Sequence, residues 1–186
     1  MRDLDILGAA QQIIADHGVD AVSMSALAAA TGLSRPAIYQ YFASKEDVLA
    51  ELVINEMADL SNAIDEHIAG VQDPMERIRI WIHYSLAHLA SADHRIIRQI
   101  SIDSLPEDKR GMLNAMHGHF MFALTSPVRE IGVADVTATC HLIYATVAAA
   151  AKRIDEGSEF VREAAALEQF TIAGLTSSAS SLSASS

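Results

Sequence analysis

Residues 23–47 constrain this chain most. Ser23 is a good N-cap, and Met24, Leu27 and Ala28 then recur at the spacing of one buried helical face. Thr31-Gly32-Leu33 reads as a tight turn, in which Gly32 takes a positive φ without steric cost. Ser34 caps a third helix, and Pro36 in its first turn gives up an N–H that would be orphaned anyway. Ile38 and Phe42, four apart, point inward and leave Arg35, Tyr39 and Gln40 outward. Ser44 and Asp47 have capping-box spacing and start another helix. Two short helices joined by a glycine turn, with a helix packed before them, are the layout of a helix-turn-helix DNA reader.

The rest of the chain is patterned as helices. Ile6, Ala10, Ile13 and Ile14 make one face of a helix over 3–17, and Gly18 supplies a left-handed stop with Val19 folding back on Ile14. The fourth helix runs to about 69. Asp73-Pro74 opens a fifth to about 91, apolar nearly all round and so central in a bundle. A short sixth helix is expected at 94–104 and a seventh from Pro106 to about 124, with Pro127 breaking it or restarting a short turn that ends at Gly132. Helices eight and nine cover about 134–155 and 158–175, and Gly157 separates them. The expectation is an all-α fold of nine helices. A helix-turn-helix head occupies 1–45, a helical ligand-binding and dimerisation body 46–175, and a disordered Ser/Ala-rich tail 176–186.

Composition agrees. Apolar residues make up 51% of 186, enough for a sizeable core and against disorder. The lone Cys140 rules out an internal disulfide framework and fits a reducing cytosol, and no apolar run is long enough to span a bilayer, so a cytoplasmic protein without a membrane partner is expected. The net charge of −11 is unusual for a nucleic-acid reader. Through residue 50 the cations are Arg2, Arg35 and Lys45, against Asp3, Asp5, Asp16, Asp20, Glu46 and Asp47. Hydroxyls and backbone N–H groups at helix N-termini must therefore carry part of any phosphate binding. Non-specific affinity should be modest and the salt dependence shallow.

The order and spacing of Gly18, Ser23, Leu27-Ala28, Gly32-Leu33-Ser34, Ala37-Ile38-Tyr39-Gln40-Tyr41-Phe42 and Ser44-Lys45-Glu46-Asp47 with Leu49 resembles the TetR family of bacterial transcription regulators. The resemblance covers about residues 4–50. It implies a TetR-like fold, a homodimer joined through the two C-terminal helices, and a body that houses an effector pocket. It also implies a DNA-binding regulator, in most members a repressor released from a palindromic operator by ligand. On that resemblance the third helix enters the major groove. Arg35 and Gln40 are its best base readers, by bidentate bonds to guanine and adenine respectively, and Pro36 and Ala37 can touch a thymine methyl. Tyr39 and Tyr41 match phosphate-contacting aromatics, Ser25 and Lys45 match positions near the backbone, and Ser34 starts the reading helix. The plainer alternative makes Tyr39, Tyr41 and Phe42 the core of a small three-helix unit.

Trp81, Tyr84, His88, Met112, Met116, Phe120, His141 and Tyr144 offer large apolar walls with a few polar tips, suited to a small, mainly apolar effector. An ordinary packed core would use the same residue types, so the pocket rests on the resemblance. Eight histidines raise the question of a metal. His83 and His88 are five apart, His117 and His119 two apart, and neither spacing stacks two imidazoles on one helical face. No metal site and no cofactor are expected. Nor is there a phosphate-binding glycine loop, a nucleophile elbow or a His-Glu-x-x-His, so the chain reads as no enzyme. Helix eight offers Val136, Cys140, Ile143, Val147 and Ala148 for dimerisation, and Ala164-Ala165-Ala166 allow close backbone approach on helix nine. A helical small-molecule binder with weak or lost DNA binding is the alternative, and the acidic head is what favours it.

Overall fold

The computed structural model describes residues 2–183, and side-chain burial for residues 3–177. Among these residues the chain is helical throughout, with nine α-helices and two short 3-10 turns. The helices are α1 (Arg2–His17), α2 (Met24–Thr31), α3 (Arg35–Tyr39), α4 (Lys45–Ile68), α5 (Pro74–Leu89), α6 (Ala92–Ile97), α7 (Glu107–Ile131), α8 (Val136–Asp155) and α9 (Phe160–Ser183). They sort into two compact units. One runs up to Ala58 and includes Ala92–Met116; the other takes Asp59–Ser91 and the chain from His117 onward.

In the first unit, Asp3 and Asp5 lie in the opening turn of α1, where the helix dipole favours negative charge. Ile6, Ala10 and Ile14 are buried at its 3.6-residue period. Gly18 has a positive φ of 83° as its position requires, but its ψ of 166° takes it out of the left-handed helical region. The chain therefore leaves α1 extended and enters a 3-10 turn at Val19–Ala21, from which Val19 still packs against the cluster that holds Ile14. Gly32, by contrast, closes α2 in the left-handed conformation, at φ 68° and ψ 13°. Each of the next starts is capped. Ser23 Oγ accepts from the Ala26 N–H at 3.1 Å, Ser34 Oγ from the Ala37 N–H at 3.3 Å, and Ser44 Oγ from the Asp47 N–H at 3.1 Å.

The core of this unit joins Ile6, Ile14, Val22, Leu27, Ile38 and Val48 to Ile97, Ile100, Leu105 and Leu113. The last four explain why the compact unit extends beyond the 1–45 boundary drawn from sequence. They bring residues 92–116 into the same hydrophobic cluster. The sixth helix is also shorter than its expected 94–104, because a 3-10 turn at Ile102–Ser104 interrupts it. Arg110 secures that turn by donating from Nη1 to the Leu105 carbonyl at 2.7 Å.

In the second unit α5 packs against α8 and α9, which also pack on each other. Asp73 caps α5 by accepting from the Met75 N–H at 3.0 Å, and Pro74 takes its first position. Ile78, Trp81, Ile82, Ser85 and Leu86 form its buried stripe. Pro127 does not break α7, which continues to Ile131. Pro127 is itself buried beside Leu124 and Val128, so packing on that face offsets the lost backbone bond. Asp135 caps α8 through the Ala138 N–H. An Arg153–Glu163 ion pair at 2.7 Å spans the turn into α9. The expected tail from 176 is helical through Ser183, because nothing after Gly174 breaks a helix and Thr176 Oγ1 bonds the Ile172 carbonyl. Residues 184–186 of that tail lie outside the described residues.

Candidate nucleic-acid interface and small-molecule site

The geometry of α3 follows from its cap and its two anchors. Ile38 is wholly buried and Phe42 nearly so, which fixes the rotation of this five-residue helix. The opposite face is left to solvent. Arg35, Pro36 and Gln40 are exposed there, Tyr39 is 48% exposed, and Ala37 is half-buried. Of the two readings of the tyrosines, the structure supports surface display over core packing, while Phe42 is core.

Arg35 and Tyr39 line a cleft of about 320 Å³ with Ser23, Ser25, Ser44 and Lys45. The start of α2 and the start of α4 thus converge on two cations and several hydroxyls. Backbone N–H groups and side-chain donors can all meet a phosphate there. Ser23 and Ser44 were not among the expected contacts. Their signal was available, since an N-cap lies on the anion-attracting end of its helix. Glu46 also borders this cleft and subtracts from its positive charge. Tyr41, 40% exposed, is placed differently. It borders a separate cleft of about 560 Å³, whose lining includes the carboxylates of Asp3, Asp47 and Glu51. Lys109 Nζ meets Glu51 there at 2.6 Å, and this hydrogen bond raises the lysine's pKa. Tyr41 is therefore not brought together with Arg35, Tyr39 and Lys45.

In the second unit three of the expected effector residues meet. Trp81 is fully buried and donates from Nε1 to the Phe120 carbonyl at 3.1 Å. Its ring lies 4.8 Å from that of Phe120 and 6.5 Å, edge-on, from that of Tyr144. His117, which sequence reasoning passed over, joins them at 5.9 Å from Phe120 and 6.3 Å from Tyr144. Tyr84 belongs to a second group, 4.4 Å from His67 and 5.5 Å from His83. His88 is half-buried near the end of α5. In the first unit Met116 is half-buried, but Met112 is 49% exposed. His141, on α8, is exposed as well. Neither Met112 nor His141 is enclosed. Each is one residue from a buried position, Leu113 and Cys140, so the rotation of 100° per residue carries it outward.

Three of the histidines are engaged by neighbouring groups. His94 Nδ1 lies 2.7 Å from Glu56, His119 Nε2 lies 2.8 Å from Asp65, and His67 Nδ1 donates to the Ala63 carbonyl at 2.8 Å. Burial pushes the Cys140 thiol up, which makes it a poor nucleophile.

On α8 and α9 the expected dimer residues Cys140, Ile143 and Val147 are buried within the chain itself. The outward apolar face is carried instead by Leu142 and Phe170, 68% and 70% exposed. They border a groove of about 280 Å³ with Thr139, Thr146, Thr171 and Gly174.

Residues 6–52, the segment that builds the caps and α3, match the model of the family described as bacterial regulatory proteins, tetR family. That match covers the N-terminal head, about a quarter of the chain, and it is this head that is similar to the TetR family. Among its relatives, the Fatty acid metabolism regulator protein of Bacillus subtilis (strain 168) is 27% identical over 153 residues, which is 77% of this chain and 78% of the relative. Two solved structures extend the likeness in fold over most of the chain. The transcriptional regulator FadR from Bacillus subtilis, solved with stearoyl-CoA, superposes with a TM-score of 0.75 at 21% identity, covering 92% of this chain and 98% of that one. AibR, solved with isovaleryl coenzyme A and operator DNA, gives 0.77 at 18% identity, covering 91% and 97%. Among the described residues, no helix is long and apolar enough to cross a membrane.

Proposed function

We propose that this chain is a cytoplasmic, homodimeric transcription regulator that binds a palindromic operator through α3 and is released by a small, mainly apolar effector. The observation that carries the reading is the split of α3 into a buried Ile38 edge and an exposed Arg35–Tyr39–Gln40 face. Arg35 and Gln40 read base edges, while Ser25, Tyr39 and Lys45 hold phosphates. Two copies joined through the Leu142 and Phe170 face place two heads on one side of the duplex. A stable interface of this kind buries on the order of 1,600 Å².

The Bacillus subtilis relative is named for fatty acid metabolism, and two similar folds were solved with acyl-CoA ligands. These names support an acyl thioester as the effector class. The aromatic group of Trp81, Phe120 and Tyr144 suits such a chain. Coupling of about 1–3 kcal/mol between effector and DNA suffices for release, and it must act in both directions.

Selection of bound DNA from a random pool, repeated with isovaleryl-CoA and stearoyl-CoA, tests the proposal. A palindromic consensus whose binding weakens with one thioester is the expected result. Sequence-independent or absent binding at low salt would favour the second reading, a helical small-molecule binder without an operator. The excess of acids over cations in the head supports that alternative.

A further inference from the structure

The second unit encloses hydroxyl groups that nothing in the chain satisfies. Ser85 is 0% exposed, and its Oγ has no hydrogen-bond partner. It lies on the buried stripe of α5 with Ile78, Trp81, Ile82 and Leu86, one helical turn beyond Trp81. Ser61 on α4 is in the same condition, beside Leu60 and near Ile64. A buried hydroxyl left unpaired destabilises the fold, and native proteins leave few of them. Alanine would fill the Ser85 position without that cost and with better helix propensity. The polar tip of Trp81 is already committed to the Phe120 carbonyl. His88, three residues on, has a partner of its own. Among the fully buried residues of this stripe the free hydrogen-bonding capacity is therefore the serine's, and Arg77, two turns before it, adds an unpaired Nε at its edge.

We propose that the Ser85 hydroxyl is the polar anchor of the effector site. It donates to a neutral carbonyl, that of an ester, thioester or amide, carried on an apolar chain that lies along Trp81. This deepens the effector reading above and rests on it. Two features select a neutral group. Arg77, one turn before Trp81 on the same side of α5, already spends its charge on Glu130, so a carboxylate placed against Ser85 would lack a free counter-ion. A serine supplies one O–H donor, which matches one carbonyl oxygen.

Trp81 is the single tryptophan and lies one turn from Ser85, so its fluorescence reports occupancy directly. The full chain and its Ser85→Ala variant are titrated with methyl decanoate, decanoate, decane and stearoyl-CoA. Methyl decanoate should bind the parent about tenfold more tightly than the variant, the size of one neutral hydrogen bond. Decane should bind both alike, and decanoate should bind the parent more weakly than its ester. The variant should melt no lower than the parent, because it loses an unpaired hydroxyl rather than a bonded one. Ser85→Cys, which keeps the volume and a weak donor, should fall between them. Equal ester affinity for parent and Ser85→Ala overturns the anchor while leaving the effector class standing. So does a preference of the parent for decanoate, or a lower melting temperature for Ser85→Ala. If neither methyl decanoate nor stearoyl-CoA binds the parent, the effector class itself falls, and the anchor falls with it.

Discussion

The two compact units differ in what they leave unpaired. Around α2, α3 and α4, three serine hydroxyls each accept a backbone N–H. Among the described residues the first unit has no buried side-chain polar atom without a partner. Ser61, Arg77, Ser85 and Thr171 carry such atoms, and all four lie in the second unit. The exposed faces of α3, α8 and α9 also differ. Around α3 the exposed rings are tyrosines with polar tips, whereas on α8 and α9 they give way to Leu142, Val161 and Phe170. A reader of a rigid duplex gains from being finished before it docks, because ordering on contact reduces affinity. On the proposed reading, a unit that accepts an effector and a second copy keeps polar and apolar groups in reserve.

That contrast can be broken, and the largest effect should come first. Leu27→Ala empties a fully buried site in the first unit and should cost about 2–5 kcal/mol in urea unfolding, with operator binding lost alongside. A cost under about 1 kcal/mol would mean that the unit relaxes and is not a finished body. Arg35→Ala should leave folding intact and cost about 1–3 kcal/mol at the cognate site, relaxing one base position. A footprint unchanged in strength and sequence would remove Arg35 from the readers. Ser34→Ala should cost about 0.5 kcal/mol of stability in urea unfolding, since the Ala37 N–H loses its side-chain acceptor and keeps only the Ser34 carbonyl at 2.9 Å. Lys45→Ala should weaken all sequences alike and lower the salt slope by about 1.

The smallest effect belongs to the second unit. The Arg153 guanidinium, by hydrogen bond and charge, holds the Glu163 carboxyl below its ordinary value. A carboxyl lowered by folding contributes stability above its unfolded pKa of about 4.3, and that contribution fades as pH falls through the lowered value. Glu163→Gln should therefore reduce stability at pH 7 slightly and make the acid side of the stability curve shallower. Parallel curves for parent and variant would count against the pair.

Legibility in sequence follows the same division. The caps at Ser23, Ser34 and Ser44, the stop at Gly32 and the inward Ile38 all depend on neighbours within four residues, and they stand where local rules put them. Gly18 shows how such a rule stops short. Its positive φ was readable, but its ψ was set by the chain running on into the turn at Val19–Ala21. Pro127 inside α7 and the recruitment of residues 92–116 into the first core depend on partners distant in sequence. Of the small-molecule candidates, Trp81, Phe120 and Tyr144 converge, while Met112 and His141 turn outward. Helical rotation is readable, yet which side faces the interior is decided by packing across the unit. His117 and Ser85 gave no local signal, since each acquires its meaning from the rings or the apolar stripe beside it.

The shortness of α3 sets how much each head can decode. Five residues rise about 7.5 Å, which matches roughly two steps of base pairs at 3.4 Å each. So short a word recurs by chance throughout any genome. On the proposed dimer, recognition is then a property of the pair, with the distance between two short words acting as most of the address.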